Sequence, residues 1–98
     1  MPREIEQLPV ADIVRIGLRH GARAMWVFGS RARGDASPES DLDLLVAVSP
    51  RTSILDLIRM ELELEELLGI DVQVVSEGSL RPPFRESVMR EATALNVS

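Results

Sequence analysis

The chain reads as an α/β domain: a small mixed β-sheet packed with helices. Three observations predict this. Apolar residues at helical spacing alternate with short runs of strand formers along the whole length. The first two strand candidates are joined by a short connection, which suits antiparallel neighbours and makes the sheet mixed. The 98 residues suffice for one core and not two, so residues 1–98 form a single domain.

Each element has its own signal. Residues 9–19 place Val10, Ile13, Val14 and Leu18 on one helical face, and Gly21 is a natural stop. Residues 24–28 are a short apolar run rich in strand formers, ended by Gly29. Residues 30–34 open a short helix. Residues 35–40 are a polar loop punctuated by Pro38. Residues 41–48 begin with period-two alternation and become continuously apolar, as a strand running from an open site into a core does. Residues 53–68 carry Ile54, Leu55, Ile58, Leu62 and Leu68 at helical spacing, with Ser53 as cap and Gly69 as stop. Residues 70–75 make a third strand. After the Pro82-Pro83 break, residues 84–95 form a last helix packing through Phe84, Val88, Ala92 and Leu95.

Composition excludes several classes. The chain has 16 acidic and 11 basic residues, every basic one arginine, and a net charge of −5. Free nucleic acid is a poor partner for such a surface. No apolar run of about 18 residues spans a membrane. The N-terminal stretch lacks an apolar signal core, so a cytoplasmic protein is expected. Without cysteine there is no disulfide and no thiolate metal site.

The chemistry concentrates at Gly29-Ser30 and at Asp41-Leu42-Asp43. Strand alternation puts Asp41 and Asp43 on one face with Cα atoms roughly 6.5–7 Å apart. Two ionised carboxylates so placed repel each other, and a divalent cation removes the penalty. Mg²⁺ suits them, since it binds through one or two carboxylates plus phosphates and water. Asp35 and Glu39 add negative charge nearby. Gly29 lets the backbone approach a phosphate, and Ser30 offers a hydroxyl and an N–H at the start of a helix. Arg31 and Arg33 read either as a solvated helix face or as phosphate contacts. Asp71 interrupts an otherwise apolar strand. It is either a strand-end carboxylate facing solvent or, with Asp41 and Asp43 on the adjacent strand, the third ligand of a site for one or two cations. In that place it would also take a proton from an incoming hydroxyl. His20 reads as a surface or capping residue, Trp26 as a core filler, and Glu61, Glu63, Glu65 and Glu66 as a solvated helix face.

The run Phe-Gly-Ser-Arg-Ala-Arg-Gly (28–34) followed by Ser-Asp-Leu-Asp-Leu-Leu-Val (40–46) resembles the minimal nucleotidyltransferase family of the polymerase-beta-like superfamily. The family pattern is Gly-Ser, ten residues, Asp-x-Asp, and residues 31–40 fill that gap here. The likeness extends to Asp71 and to Arg90-Glu91-Ala92. It implies the nucleotidyltransferase α/β fold and a nucleoside triphosphate, ATP, with Mg²⁺. It also implies triphosphate contacts from Gly29 and Ser30 and metal ligation by Asp41, Asp43 and Asp71; Arg31, Arg33 and Ser40 complete the candidate nucleotide-contacting set. Members of this size resemble antitoxins that attach AMP to a tyrosine hydroxyl of a HEPN-domain toxin. Three readings follow: a protein adenylyltransferase, a module that neutralises its partner by contact alone, or a small-molecule nucleotidyltransferase working as a homo-oligomer.

Overall fold

The computed structural model describes residues 8–35, 37 and 40–95. Pro38 and Glu39 of the polar loop and the N-terminal stretch 1–7 lie outside the described residues. The elements in order are α1 (Val10–Arg19), β1 (Ala22–Phe28), α2 (Ser30–Arg33), β2 (Leu42–Val48), α3 (Ile54–Leu68), β3 (Val72–Ser76), a 3-10 turn (Glu77–Ser79), α4 (Pro82–Glu91) and β4 (Thr93–Ala94).

The sheet order is β3-β2-β1-β4. β1 runs antiparallel to both β2 and β4, while β2 and β3 are parallel, so the sheet is mixed as the short first connection requires. The fifteen residues of α3 make the return trip between the parallel pair. Ser53 caps α3 reciprocally: its hydroxyl accepts from the Asp56 N–H at 3.2 Å, and the Asp56 carboxylate accepts from the Ser53 N–H at 2.9 Å. Gly69 ends the helix in the left-handed conformation.

One face of the sheet carries the main core. Leu42, Leu44 and Val46 of β2 meet Ile13 and Ile16 of α1, Met60 and Leu64 of α3, and Val72 and Val74 of β3. Gly17 lets α1 close on β1, since a Cβ there would lie 2.3 Å from the Met25 sulfur. The packing differs from the expected faces at three places. Of the α1 set, Leu18 is exposed and Ile16 is buried instead. On α3, Ile54, Leu55, Ile58 and Leu62 are exposed, and the buried face is Met60 and Leu64 flanked by Leu57 and Leu68. The last helix stops at Glu91; Phe84 is exposed, and Leu95 reaches the core only after β4, its N–H bonding the Met25 carbonyl at 2.9 Å.

The rotation of α3 has a polar cause. β3 is an edge strand, and its outward N–H groups need acceptors. The Glu61 carboxylate accepts from the Val74 N–H at 2.8 Å, and the Glu65 carboxylate from the Val72 N–H at 3.0 Å. Glu63 turns the other way, to His20 at 2.8 Å and Arg19 at 3.0 Å. Three of the four glutamates expected to be a solvated face are therefore structural. His20 is committed to Glu63.

Candidate functional site

β1 ends at Phe28, whose register partner on β2 is Asp43. The next residue, Gly29, has φ +74° and ψ −153°, a conformation open essentially to glycine alone. A Cβ at Gly29 would sit 2.4 Å from Oδ2 of Asp43. The missing side chain thus serves twice: it permits the turn, and it leaves room for a carboxylate to lie against that turn. The glycine turn and the Asp43 carboxylate are therefore one place in the molecule.

Asp41 is exposed at the mouth of β2 and Asp43 is half-buried. The Asp43 carboxyl is held above the usual carboxylate range, first by burial and then by the negative charge of Asp41; the Arg33 guanidinium pulls it down. Three charges therefore feel one another across this spot. The donor set is all oxygen, and a divalent cation between Asp41 and Asp43 would remove both the repulsion and the burial cost. The residues fit Mg²⁺ on those grounds.

The two arginines divide their work. Arg31 is buried, and its Nη2 donates to the Ser40 carbonyl at 2.7 Å, tying α2 to the residue that precedes Asp41. The ten-residue spacing of the motif thus closes on a physical clasp. Ser40 is part of it: its hydroxyl accepts from the Ser37 N–H at 2.9 Å and holds the turn in front of β2. Arg33 stays half-exposed, shared between Asp35 at 3.3 Å and Glu91 of α4 at 3.4 Å. Of the two arginines it is the one whose guanidinium is open to solvent. Glu91, which the sequence pattern gave no separate role, anchors it. The short helix is a single turn of four residues whose Ala32 and Arg33 N–H groups bond the Gly29 carbonyl, so its dipole adds little.

Asp71 precedes β3, and its carbonyl accepts from the Leu42 N–H at 2.9 Å. The parallel register pairs Leu42 with Val72 and Asp43 with Gln73. Alternation then puts Asp71 and Gln73 on the face of Asp41 and Asp43, Asp71 beside Asp41 and Gln73 beside Asp43. Among the described residues, no three acidic or histidine side chains gather closely enough to hold a metal ion. Asp71 thus shares the face without joining Asp41 and Asp43 in one cluster. Sequence reasoning did not name Gln73: parity with Asp71 gives its face, and only the strand register makes it the neighbour of Asp43.

A sequence model described as a nucleotidyltransferase domain matches residues 7–95. Protein adenylyltransferase MntA of Thermococcus cleftensis is 40% identical over 88 residues, covering 90% of this chain and 89% of that one. A solved structure described as a minimal nucleotidyltransferase shares 46% identity and a TM-score of 0.82, with 95% of each chain covered. A complex of a tri-AMPylated Shewanella oneidensis HEPN toxin with an MNT antitoxin matches in fold at 18% identity and TM-score 0.72, covering 95% of this chain and 73% of that chain.

Proposed function

The chain belongs to the nucleotidyltransferase domain family, and from that premise we propose that it is a Mg²⁺-dependent protein adenylyltransferase moving AMP from ATP to a tyrosine hydroxyl of a HEPN-domain partner. One observation carries the reading: the Asp43 carboxylate lies against the Gly29 turn with Asp41 and Arg33 in electrostatic reach. The relatives named for adenylyl transfer and for an AMPylated HEPN toxin support the choice of group and acceptor.

In this reading Gly29 and Ser30 seat the triphosphate and Arg33 leaves its carboxylate partners to pair with phosphate oxygens. Asp41 and Asp43 hold the cation, which neutralises triphosphate charge when bound. The acceptor oxygen attacks the α-phosphorus, a new O–P bond forms, and the bond to pyrophosphate breaks. Asp71, beside Asp41 on the outer side, takes the hydroxyl proton. A domain of this size offers the donor half of such a site, and the acceptor protein supplies the rest in trans.

The Asp41→Asn/Asp43→Asn double variant should keep its fold and lose transfer. Incubation with labelled ATP and a HEPN-domain protein from a neighbouring reading frame tests this, and undiminished label in the variant ends the mechanism. The neutral amide beside Asp43 favours a second reading, neutralisation by contact without transfer. The intact mass of the co-expressed partner separates them, since transfer adds whole AMP units.

A further inference from the structure

β2 has two neighbours, and both reach the acidic face beside Asp43. On the β1 side stands Phe28 with the Gly29 turn. On the β3 side stands Gln73. Adjacent strands lie about 4.8 Å apart, so the Gln73 side chain rises from the sheet one strand spacing from Asp43, on the same face. Asp71 is the diagonal neighbour of Asp43, roughly 7–8 Å away between Cα atoms.

Charge decides what this arrangement holds. A pair of divalent cations about 3.5–4 Å apart clamps the attacking and leaving oxygens of a transfer. The cation on the leaving side is compensated by triphosphate oxygens. A cation on the attacking side draws its compensation from protein carboxylates, and Asp41 and Asp43 would be shared with the first. A third carboxylate beside Asp43 would complete such a site. An amide there contributes an oxygen but no charge.

Resting on the adenylyltransferase reading, we infer that Gln73 restricts the site to one divalent cation, the one that arrives with the triphosphate, and leaves the acceptor hydroxyl without a cation of its own. Activation of that hydroxyl then falls to Asp71 and to groups on the acceptor protein. Gln73 is exposed, so its replacement does not disturb the core.

The test counts cations directly. Mn²⁺ is titrated by electron paramagnetic resonance into the intact chain with α,β-methylene-ATP, against the Asp41→Asn/Asp43→Asn variant as background. The wild type should bind one Mn²⁺ per nucleotide, and Gln73→Asp two, with the broadened spectrum of a coupled pair. Gln73→Glu covers a short reach of the aspartate, and melting curves confirm that both variants fold. Asp71→Asn should leave the count at one. Two Mn²⁺ in the wild type, one in both Gln73 variants, or a loss in Asp71→Asn overturns the inference while the adenylyltransferase reading stands. No Mn²⁺ in the wild type removes that reading, and the inference with it.

Discussion

The two flanks of β2 are built to different standards. On the β1 flank every part is fitted: Gly29 makes room for the Asp43 carboxylate, Arg31 clasps Ser40, and Arg33 is held by Asp35 and Glu91. On the β3 flank the functional face carries an exposed Asp71 and a neutral Gln73, and the strand's polar clamps serve its edge instead. A nucleotide needs a preorganised seat, because positioning and fixed charge supply most of the rate in such transfers. An acceptor that brings its own surface does not need one. Under the proposed adenylyltransferase reading, the difference assigns the donor half of the site to this chain and the acceptor half to the partner.

Breaking the fitted flank should have the largest effect. In Gly29→Ala the new methyl collides with the Asp43 carboxylate, and the backbone conformation is one alanine does not adopt. Transfer should drop by about 100-fold or more, and stability by about 1–3 kcal/mol. Labelled-ATP assays and thermal melts read both. Near-wild-type transfer would mean that the turn does not seat the triphosphate.

The arginines sharpen the contrast within that flank. Arg31→Met removes a buried clasp, so stability should fall by about 1–3 kcal/mol. Arg33→Met touches only exposed partners and should leave melting nearly unchanged, yet raise the KM for ATP by about tenfold. If the two variants behaved alike, the division between a residue that holds the loop and one that meets phosphate would be wrong.

Much of this was legible from residue order. The Gly-Ser turn, the two alternating aspartates, the cap at Ser53 and the antiparallel start of the sheet follow from local rules, because each is fixed by residues a few positions apart. The buried face of α3 was not legible. Its apolar residues cover two flanks, and Glu61 and Glu65, by bonding the β3 edge, choose the flank that turns inward. The two residues of β4 continue a helical pattern, and only pairing with Trp26 and Val27 reveals a strand. Gln73 was hidden for a similar reason: its meaning depends on the register of β3 against β2, which no local pattern states.

Protons probe the acidic face itself. The Asp43 carboxyl binds its proton more tightly in the folded protein than in the unfolded chain. The metal-free fold therefore loses stability as pH rises through that range, and the penalty is complete above the folded value. Asp43→Asn should raise the melting temperature at neutral pH by about 2 °C, a small gain because the group is partly solvated. Mg²⁺ should stabilise the wild type and not the variant. In the wild type, Mg²⁺ affinity should begin to weaken on acidification at a higher pH than an ordinary carboxylate would give, because the proton competes for Asp43. Destabilisation by Asp43→Asn would show that the carboxylate supports the fold and is not strained by it.

The smallest effect on transfer belongs to the loose flank. A slip of β3 by two residues would keep its faces and bring Asp71 beside Asp43, converting one kind of site into another. Two devices oppose that slip: the packing of Val72 and Val74 in the core, and the grip of Glu65 and Glu61 on their N–H groups. Glu61→Gln/Glu65→Gln weakens only the second and should lower stability by about 1–2 kcal/mol, with transfer unchanged and the Mn²⁺ count still one. A count of two in that variant would show that the glutamates, rather than the apolar contacts, hold the register, and that the edge of the sheet decides which side chain stands next to Asp43.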